Sequence, residues 1–133
     1  MNWSKIKTQS PKSYESFGKY YHDNEDDIFS HDDERLLIED FDFNYLIGWL
    51  TVFFETHGIR IDTSILHSGK MIKRLMVFSK YDAEIFCTTS NGLESIDLED
   101  IVGDRNFYKH SELMEVLFTY CFHLLEKDHD TLK

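Results

Sequence analysis

Carboxylates are the most abundant chemically reactive side chains of this protein, and ten of them fall within residues 23–42. Five side chains there match ligand positions 1, 3, 5, 9 and 12 of a calcium-binding EF-hand loop: Asp23, Glu25, Asp27, His31 and Glu34. Such a loop needs glycine at its sixth position for a sharp turn, and Ile28 stands there. Calcium is thus the weakest interpretation of this spacing, and we expect no metal ion and no other cofactor.

Residues 23–42 also hold most of the net charge. Ten carboxylates against Arg35 alone give −9 there, whereas the whole chain of 133 residues carries −11. Like charges at this density repel one another in the folded state, so a gain elsewhere would explain them. Two interpretations stay open beside calcium: a solvated acidic loop that keeps the protein soluble, or a face that docks onto a cationic protein.

The docking interpretation names its candidate contacts. Clustered carboxylates can occupy the phosphate positions of a basic groove, and neighbouring aromatic side chains can fill its base pockets. Candidates for the central contacts of such an interface are Phe29, Phe41 and Trp3. The residues expected to bind the partner are Asp23, Glu25, Asp26, Asp27, Phe29, Asp32, Asp33, Glu34, Asp40 and Asp42.

The other reactive side chains show no catalytic spacing. None of the seven histidines stands in an HExxH or HxH pattern. Cys87 and Cys121 lie far apart without a CxxC pattern, which favours two buried, reduced thiols. No GxSxG, Walker or dinucleotide-binding glycine pattern occurs. The sequence therefore predicts a binding protein and no enzyme.

Charge and hydropathy narrow the choice of partner. A net charge of −11 and a pI near 4.9 argue against nucleic acid and anionic membrane, whose phosphates would be repelled. The first ten residues lack the apolar core of a signal peptide, and the longest apolar window, residues 43–54, is too short to span a bilayer. We expect a cytoplasmic protein with a basic protein partner, itself a monomer or a weak homodimer.

The helical spacing of apolar residues recurs in three stretches: residues 12–22, 44–57 and 111–127. Ser10 and Pro11 mark the start of the first helix, as N-cap and first helical residue. The second helix is apolar on nearly all sides, so we expect it to be central and buried. Residues 1–9 are polar, and we expect them to be mobile, with Trp3 and Ile6 as anchors.

After Gly58 the apolar period changes to two, which is typical of strands. Tyr81-Asp82 is expected to turn the chain, and Ser90-Asn91-Gly92 is the sharpest hairpin signal. Short connections of this kind require antiparallel pairing. The predicted strands are residues 59–65, 71–80, 83–89 and 93–98.

The predicted fold is one α+β domain of residues 1–133. N-terminal helices precede a four-stranded antiparallel meander at about 59–98, and the C-terminal helix at about 111–127 packs on one face of the sheet. In size, acidity and this order of elements, the chain resembles the small bacterial immunity proteins that neutralise toxin domains in the cytoplasm. It is also similar in these respects to phage inhibitors of host defence enzymes.

This resemblance implies an antitoxin, an immunity-type inhibitor that covers the basic active site of a cationic toxin, foremost a nuclease. A phage-type inhibitor of a host nucleic-acid enzyme would use the same chemistry. Two functions of a different kind stay open beside these inhibitors. The surplus of aromatic residues favours an interaction or self-associating domain, and a pocket between residues 44–57 and the sheet would favour a small enzyme or ligand-binding domain.

Overall fold

A computed structural model describes residues 1–24, 38–67, 79–89 and 92–131. The chain is an α+β protein, as predicted, with helices before and after an antiparallel sheet. Its elements are, in order, α1 (Trp3–Gln9), α2 (Pro11–Asn24), a 3-10 turn (Ile38–Asp40), α3 (Phe43–Thr56), β1 (Ile59–His67), β2 (Ser79–Thr89), β3 (Gly92–Asp97), α4 (Leu98–Val102) and α5 (His110–Thr131).

The start of the chain differs from the expectation of a mobile segment. Residues 3–9 form α1, whose Asn2 cap accepts a hydrogen bond from the backbone N–H of Lys5 at 3.1 Å. Trp3 is only 7% exposed and Ile6 only 2%. These two apolar side chains, one turn apart, give α1 a face that packs into the core, and a helix this short owes its stability to such packing.

The central helix α3 begins within one residue of its predicted start. The carboxylate of Asp42 caps it by accepting a hydrogen bond from the backbone N–H of Asn44 at 3.1 Å. Gly58 follows its end with φ at +77°, a conformation that glycine adopts without strain. Four side chains of α3 are fully buried and make the helix a core element, as predicted: Leu46, Leu50, Phe53 and Phe54.

The described strands form one antiparallel sheet in the order β1-β2-β3. Ile61 pairs with Ile85 across β1 and β2, and Ile85 pairs with Ile96 across β2 and β3. Thr89 pairs with Gly92, which confirms the predicted hairpin between β2 and β3. Within the described ranges the sheet therefore has three strands, and the prediction of four is wrong.

The error lies at Tyr81-Asp82, for which the sequence predicts a turn. Both residues are inside β2, where Tyr81 pairs with Ile65 and Asp82 with Ser64. Asp82 is exposed and its neighbour Ala83 is buried, so Asp82 is simply an outward-facing position of a continuous strand. Most of the strand predicted at residues 71–80 lies outside the described residues.

The prediction that the last helix, α5, packs on one face of the sheet is corrected: α5 packs mainly against α2 and α3, whereas α3 and α4 make most of the helical contacts with the sheet. Helix α5 begins one residue before the predicted 111–127 and continues to Thr131. Aromatic rings pack between these helices. The ring centroids of Phe17 in α2 and Phe53 in α3 are 5.2 Å apart, and those of Phe54 in α3 and Phe122 in α5 are 5.0 Å apart. The core thus sits among α2, α3, α5 and the inner face of the sheet.

Candidate partner-binding site

Three of the ten residues expected to bind a partner belong to the described part of the chain. Asp23 lies in the last turn of α2, Asp40 in the 3-10 turn, and Asp42 at the cap of α3. All three are exposed to solvent. The other seven lie outside the described residues: Glu25, Asp26, Asp27, Phe29, Asp32, Asp33 and Glu34.

The two ends of the acidic segment, residues 23–42, are held side by side by aromatic packing. The ring of Tyr21, at the end of α2, lies 5.2 Å from the ring of Phe41 and 4.9 Å from that of Trp49. The hydroxyl groups of Tyr21 and Tyr45 are 3.1 Å apart. We call these four residues the Tyr21 cluster. The cluster therefore joins the last turn of α2 to the start of α3, so the two ends of the acidic segment lie near each other.

Glu39 anchors the returning end of the acidic segment to the two N-terminal helices. Its carboxylate accepts hydrogen bonds from the ammonium group of Lys7 in α1 and from the hydroxyl group of Tyr14 in α2. Burial acts to raise the pKa of Glu39, but these two donors outweigh it and lower the pKa. Burial and the hydrogen bond to Glu39 raise the pKa of Tyr14. Glu39 therefore has a structural role and is not a free acid of the surface.

A shallow groove of about 380 Å³ runs beside the Tyr21 cluster, between α2 and α3. Tyr45 is 51% exposed and Val52 is 47% exposed, so two apolar side chains on the same side of α3 face solvent. A Cβ atom placed on Gly48 would meet nothing within 4 Å, so the floor of the groove is open. We call it the α2–α3 groove, and its described lining is Tyr20, Tyr45, Gly48, Trp49 and Val52.

The sequence does not predict this groove, although it contains the residues that form it. The apolar pattern places Trp49 and Tyr45 on a helix that is apolar all round and therefore expected to be buried. Gly48 is the missed signal, because a residue without a side chain on an otherwise bulky helix face leaves room that a partner can fill.

The three aromatic residues predicted as central contacts have different outcomes. Trp3 is buried among Tyr14, Phe17 and Phe122, so its prediction as a contact residue is wrong. Phe41 is half-buried in the Tyr21 cluster. Phe29 lies outside the described residues.

A larger cavity, about 470 Å³, lies between α1, α4 and α5 and away from the acidic segment. Tyr120 and His123 line it, and burial raises the pKa of Tyr120. A ligand-binding domain would have its pocket between α3 and the sheet, and this cavity lies elsewhere. A cavity of about 410 Å³ does lie where the end of α3 meets the sheet, and Glu55, Arg60 and Phe86 are among its lining residues.

Metal-binding and thiol chemistry find little support in the described ranges. No group of three or more His, Cys, Asp or Glu side chains is placed there to hold a metal ion. Burial raises the pKa of the Cys121 thiol, which keeps it protonated and unreactive. Cys87 is half-buried on β2. The described acids therefore present a charged surface and no chelating cluster.

Comparisons with known protein-family models, with curated proteins and with solved structures gave no match to this chain. Across the residues that are described, no helix has both the length and the apolar character needed to cross a lipid bilayer.

Proposed function

We propose that this chain is an acidic, non-enzymatic binding protein, most specifically an immunity-type inhibitor that neutralises a cationic toxin by covering its basic active site. A nuclease is the toxin class that fits best, because its active site must attract phosphates. The observation that supports the proposal is the Tyr21 cluster, which brings the two ends of the acidic segment together.

Because Tyr21 contacts Phe41 and Tyr45, the segment of residues 23–42, with its −9, joins the described part of the chain at two neighbouring points. A concentrated charge creates a field that reaches well beyond contact distance and steers an oppositely charged protein toward it. A spread of the same charge over the whole surface would keep the protein soluble but would not orient a partner. The structure of the two ends thus favours docking over simple solubility.

Charge-reversed baits test the proposal. The bait variant carries Asp26→Lys, Asp27→Lys, Asp32→Lys and Asp33→Lys, which changes the net charge from −11 to −3. Wild type and variant are used in parallel to capture proteins from the native host, and the captured protein is assayed for nuclease or other toxic activity with and without this chain. We expect the wild type to retain a basic protein and inhibit it, and the variant to lose at least about tenfold in association rate, because electrostatic steering raises association rates by this factor or more.

A matched control reverses four exposed carboxylates outside residues 23–42 and has the same net charge of −3: Glu15→Lys, Glu55→Lys, Glu94→Lys and Asp104→Lys. This control should keep its partner and most of its association rate. Equal losses in the two variants would show that only total charge matters. A partner that binds all three proteins alike, or that is not basic, would contradict the proposal.

A phage-type inhibitor of a host nucleic-acid enzyme is supported by the same charge. The two versions share the docking chemistry and differ in the enzyme that is covered. Identification and assay of the captured protein separate them, since the partner is a toxin in one case and a host nucleic-acid enzyme in the other.

Self-association is a second candidate function, favoured by the exposed Tyr45 and Val52 of α3. Two copies that joined through the α2–α3 groove would bury apolar surface, so the dimer would resist salt. Sedimentation or size-exclusion measurements at low and high salt test this. A dimer that persists at high salt would favour self-association, while a monomer in both conditions would exclude it.

A further inference from the structure

The α2–α3 groove offers aromatic faces in a fixed position. Trp49 is half-buried and rests on Tyr21, with ring centroids 4.9 Å apart, and it meets Tyr20 at 6.3 Å. Tyr45 is tied to Tyr21 through their hydroxyl groups. The described lining residues are all uncharged. The groove is therefore a preorganised surface of rings whose own walls supply no positive charge.

Two carboxylates lie within one helical turn of the residues that line this groove. Asp23 follows Tyr20 by three residues on α2, so the two side chains are neighbours on one helix face. Asp42 caps α3, and its backbone oxygen accepts a hydrogen bond from the backbone N–H of Tyr45 at 3.0 Å. Both acids are exposed. Each helix that lines the groove thus carries an exposed carboxylate one turn from a lining tyrosine.

We propose that the α2–α3 groove receives a cationic side chain, foremost arginine, from a basic segment of a protein partner. This inference rests on the proposed function and adds where the partner is gripped. A guanidinium group stacks on aromatic rings and also binds carboxylates through two parallel hydrogen bonds, so it satisfies both features of the site. An uncharged apolar occupant would desolvate the nearby carboxylates without pairing them, which is unfavourable.

A short peptide probe tests this directly. An acetylated tetra-arginine amide is titrated into the protein, and the indole N–H signal of Trp49 is followed by NMR, with tetralysine and tetraglutamine peptides for comparison. The buried Trp3 is an internal control within the same spectrum. We expect tetra-arginine to shift the Trp49 signal and leave that of Trp3 in place, tetralysine to bind more weakly, and tetraglutamine to have no effect.

A pair of glycine substitutions locates the contact. Gly48→Lys places a long cationic side chain in the groove, where a Cβ atom meets nothing within 4 Å. Gly18→Lys is the matched control, because Gly18 is also helical, has the same open space and lies outside the groove lining. The Gly48 variant should weaken tetra-arginine binding by about tenfold and the Gly18 variant by less than about twofold.

The outcomes separate this inference from the proposed function. Equal weakening by both lysine substitutions, or binding of tetraglutamine as tight as that of tetra-arginine, overturns the groove assignment and leaves the acidic docking proposal intact. A Trp49 signal that does not respond to tetra-arginine at millimolar concentration also overturns it. If the charge-reversed bait in addition keeps its partner, the proposed function fails as well.

Discussion

Glu126 shows how one carboxylate can join distant parts of a chain. It lies on α5, is only 7% exposed, and accepts hydrogen bonds from the backbone N–H groups of Lys12 at 2.9 Å and Ser13 at 3.2 Å. These are donors of the first turn of α2, at the positive end of the helix dipole, where the helix itself offers them no acceptor. A side chain from the last helix therefore caps an early one.

Replacing Glu126 should expose this role. Glu126→Ala leaves two N–H groups without their acceptor in a buried place, so the free energy of unfolding should fall by about 1–3 kcal/mol. Glu126→Gln keeps an acceptor oxygen but no charge, and should lose less. Urea denaturation measures both, and hydrogen exchange of the Lys12 and Ser13 amides should speed up in the alanine variant.

Glu15→Ala is the control for Glu126, since it removes an exposed carboxylate on α2 itself. We expect it to change the free energy of unfolding by no more than about 0.5 kcal/mol. A loss at Glu126 no larger than this control would contradict the capping role.

Glu39 makes stability depend on pH. Its pKa is lowered in the folded state, so its contribution is complete above the pKa of the unfolded chain, near 4.5, and is lost as the pH falls through the lower folded value. Glu39→Gln should lower the free energy of unfolding at neutral pH by about 0.5–1 kcal/mol, because partial exposure screens the ion pair with Lys7. Denaturation curves from pH 7 to about 3 should show the two proteins converging at the acid end.

The same series with Asp40→Asn is the matched comparison, since Asp40 is the exposed neighbour of Glu39. This variant should change the free energy of unfolding at neutral pH by no more than about 0.5 kcal/mol. A gap between wild type and Glu39→Gln that stays constant with pH would contradict the assigned pairing with Lys7 and Tyr14.

Single residues are predictable from the sequence where their partners are close in the chain. Asp42 is a plain cap candidate for α3, and its acceptor role is local, to Asn44. The partners of Glu39 and Glu126 lie 25 to 114 residues away. No spacing rule connects such positions, and only the packed helices bring them together.

At the scale of elements, α1 is the clearest addition to the predicted fold. Its seven residues carry only two large apolar side chains, too few for a helical pattern to stand out. Trp3→Ala should lower the free energy of unfolding by about 3–5 kcal/mol, because a buried ring that touches Phe17 and Phe122 is lost. Lys5→Ala, on the exposed side of α1, is the control, and chemical denaturation measures both. A mobile N-terminus would make the two variants equal.

The sheet shows the opposite kind of error, in which a local signal is overvalued. Tyr-Asp between apolar runs has the composition of a turn, yet Asp82 fits the outward positions of β2. The pairing of Thr89 with Gly92 confirms the hairpin predicted at Ser90-Asn91-Gly92. Gly92 has φ at +107°, a conformation that other residues rarely adopt, so the sequence signal reflects a real requirement of the backbone. Turn signals are therefore reliable where they require a special backbone conformation and weak where they rest on polarity.

At the scale of the molecule, charge asymmetry can be obtained from the sequence, whereas the groove cannot. The asymmetry is a count along the chain, but the α2–α3 groove requires two helices to pack at a particular distance.

Self-repulsion within the acidic segment predicts that added salt stabilises the protein. Thermal unfolding in NaCl from about 20 mM to about 200 mM tests this. The Debye screening length falls from roughly 20 Å to below about 10 Å over that range. The melting temperature should rise with salt. The variant with lysine at positions 26, 27, 32 and 33 should show a smaller rise than the control with lysine at positions 15, 55, 94 and 104, although both carry −3. Equal responses would mean that the charges of the segment do not act on one another locally.

The cap that Glu126 provides has a consequence for synthesis. As the nascent chain leaves the ribosome, α2 emerges more than one hundred residues before the carboxylate that completes its first turn. The first turn of α2 therefore lacks this acceptor, and the rings of Trp3 and Phe17 lack their contact with Phe122, until α5 has been translated. A truncated product that stops before α5 should therefore fail to bind the partner, even though it contains every acid of residues 23–42.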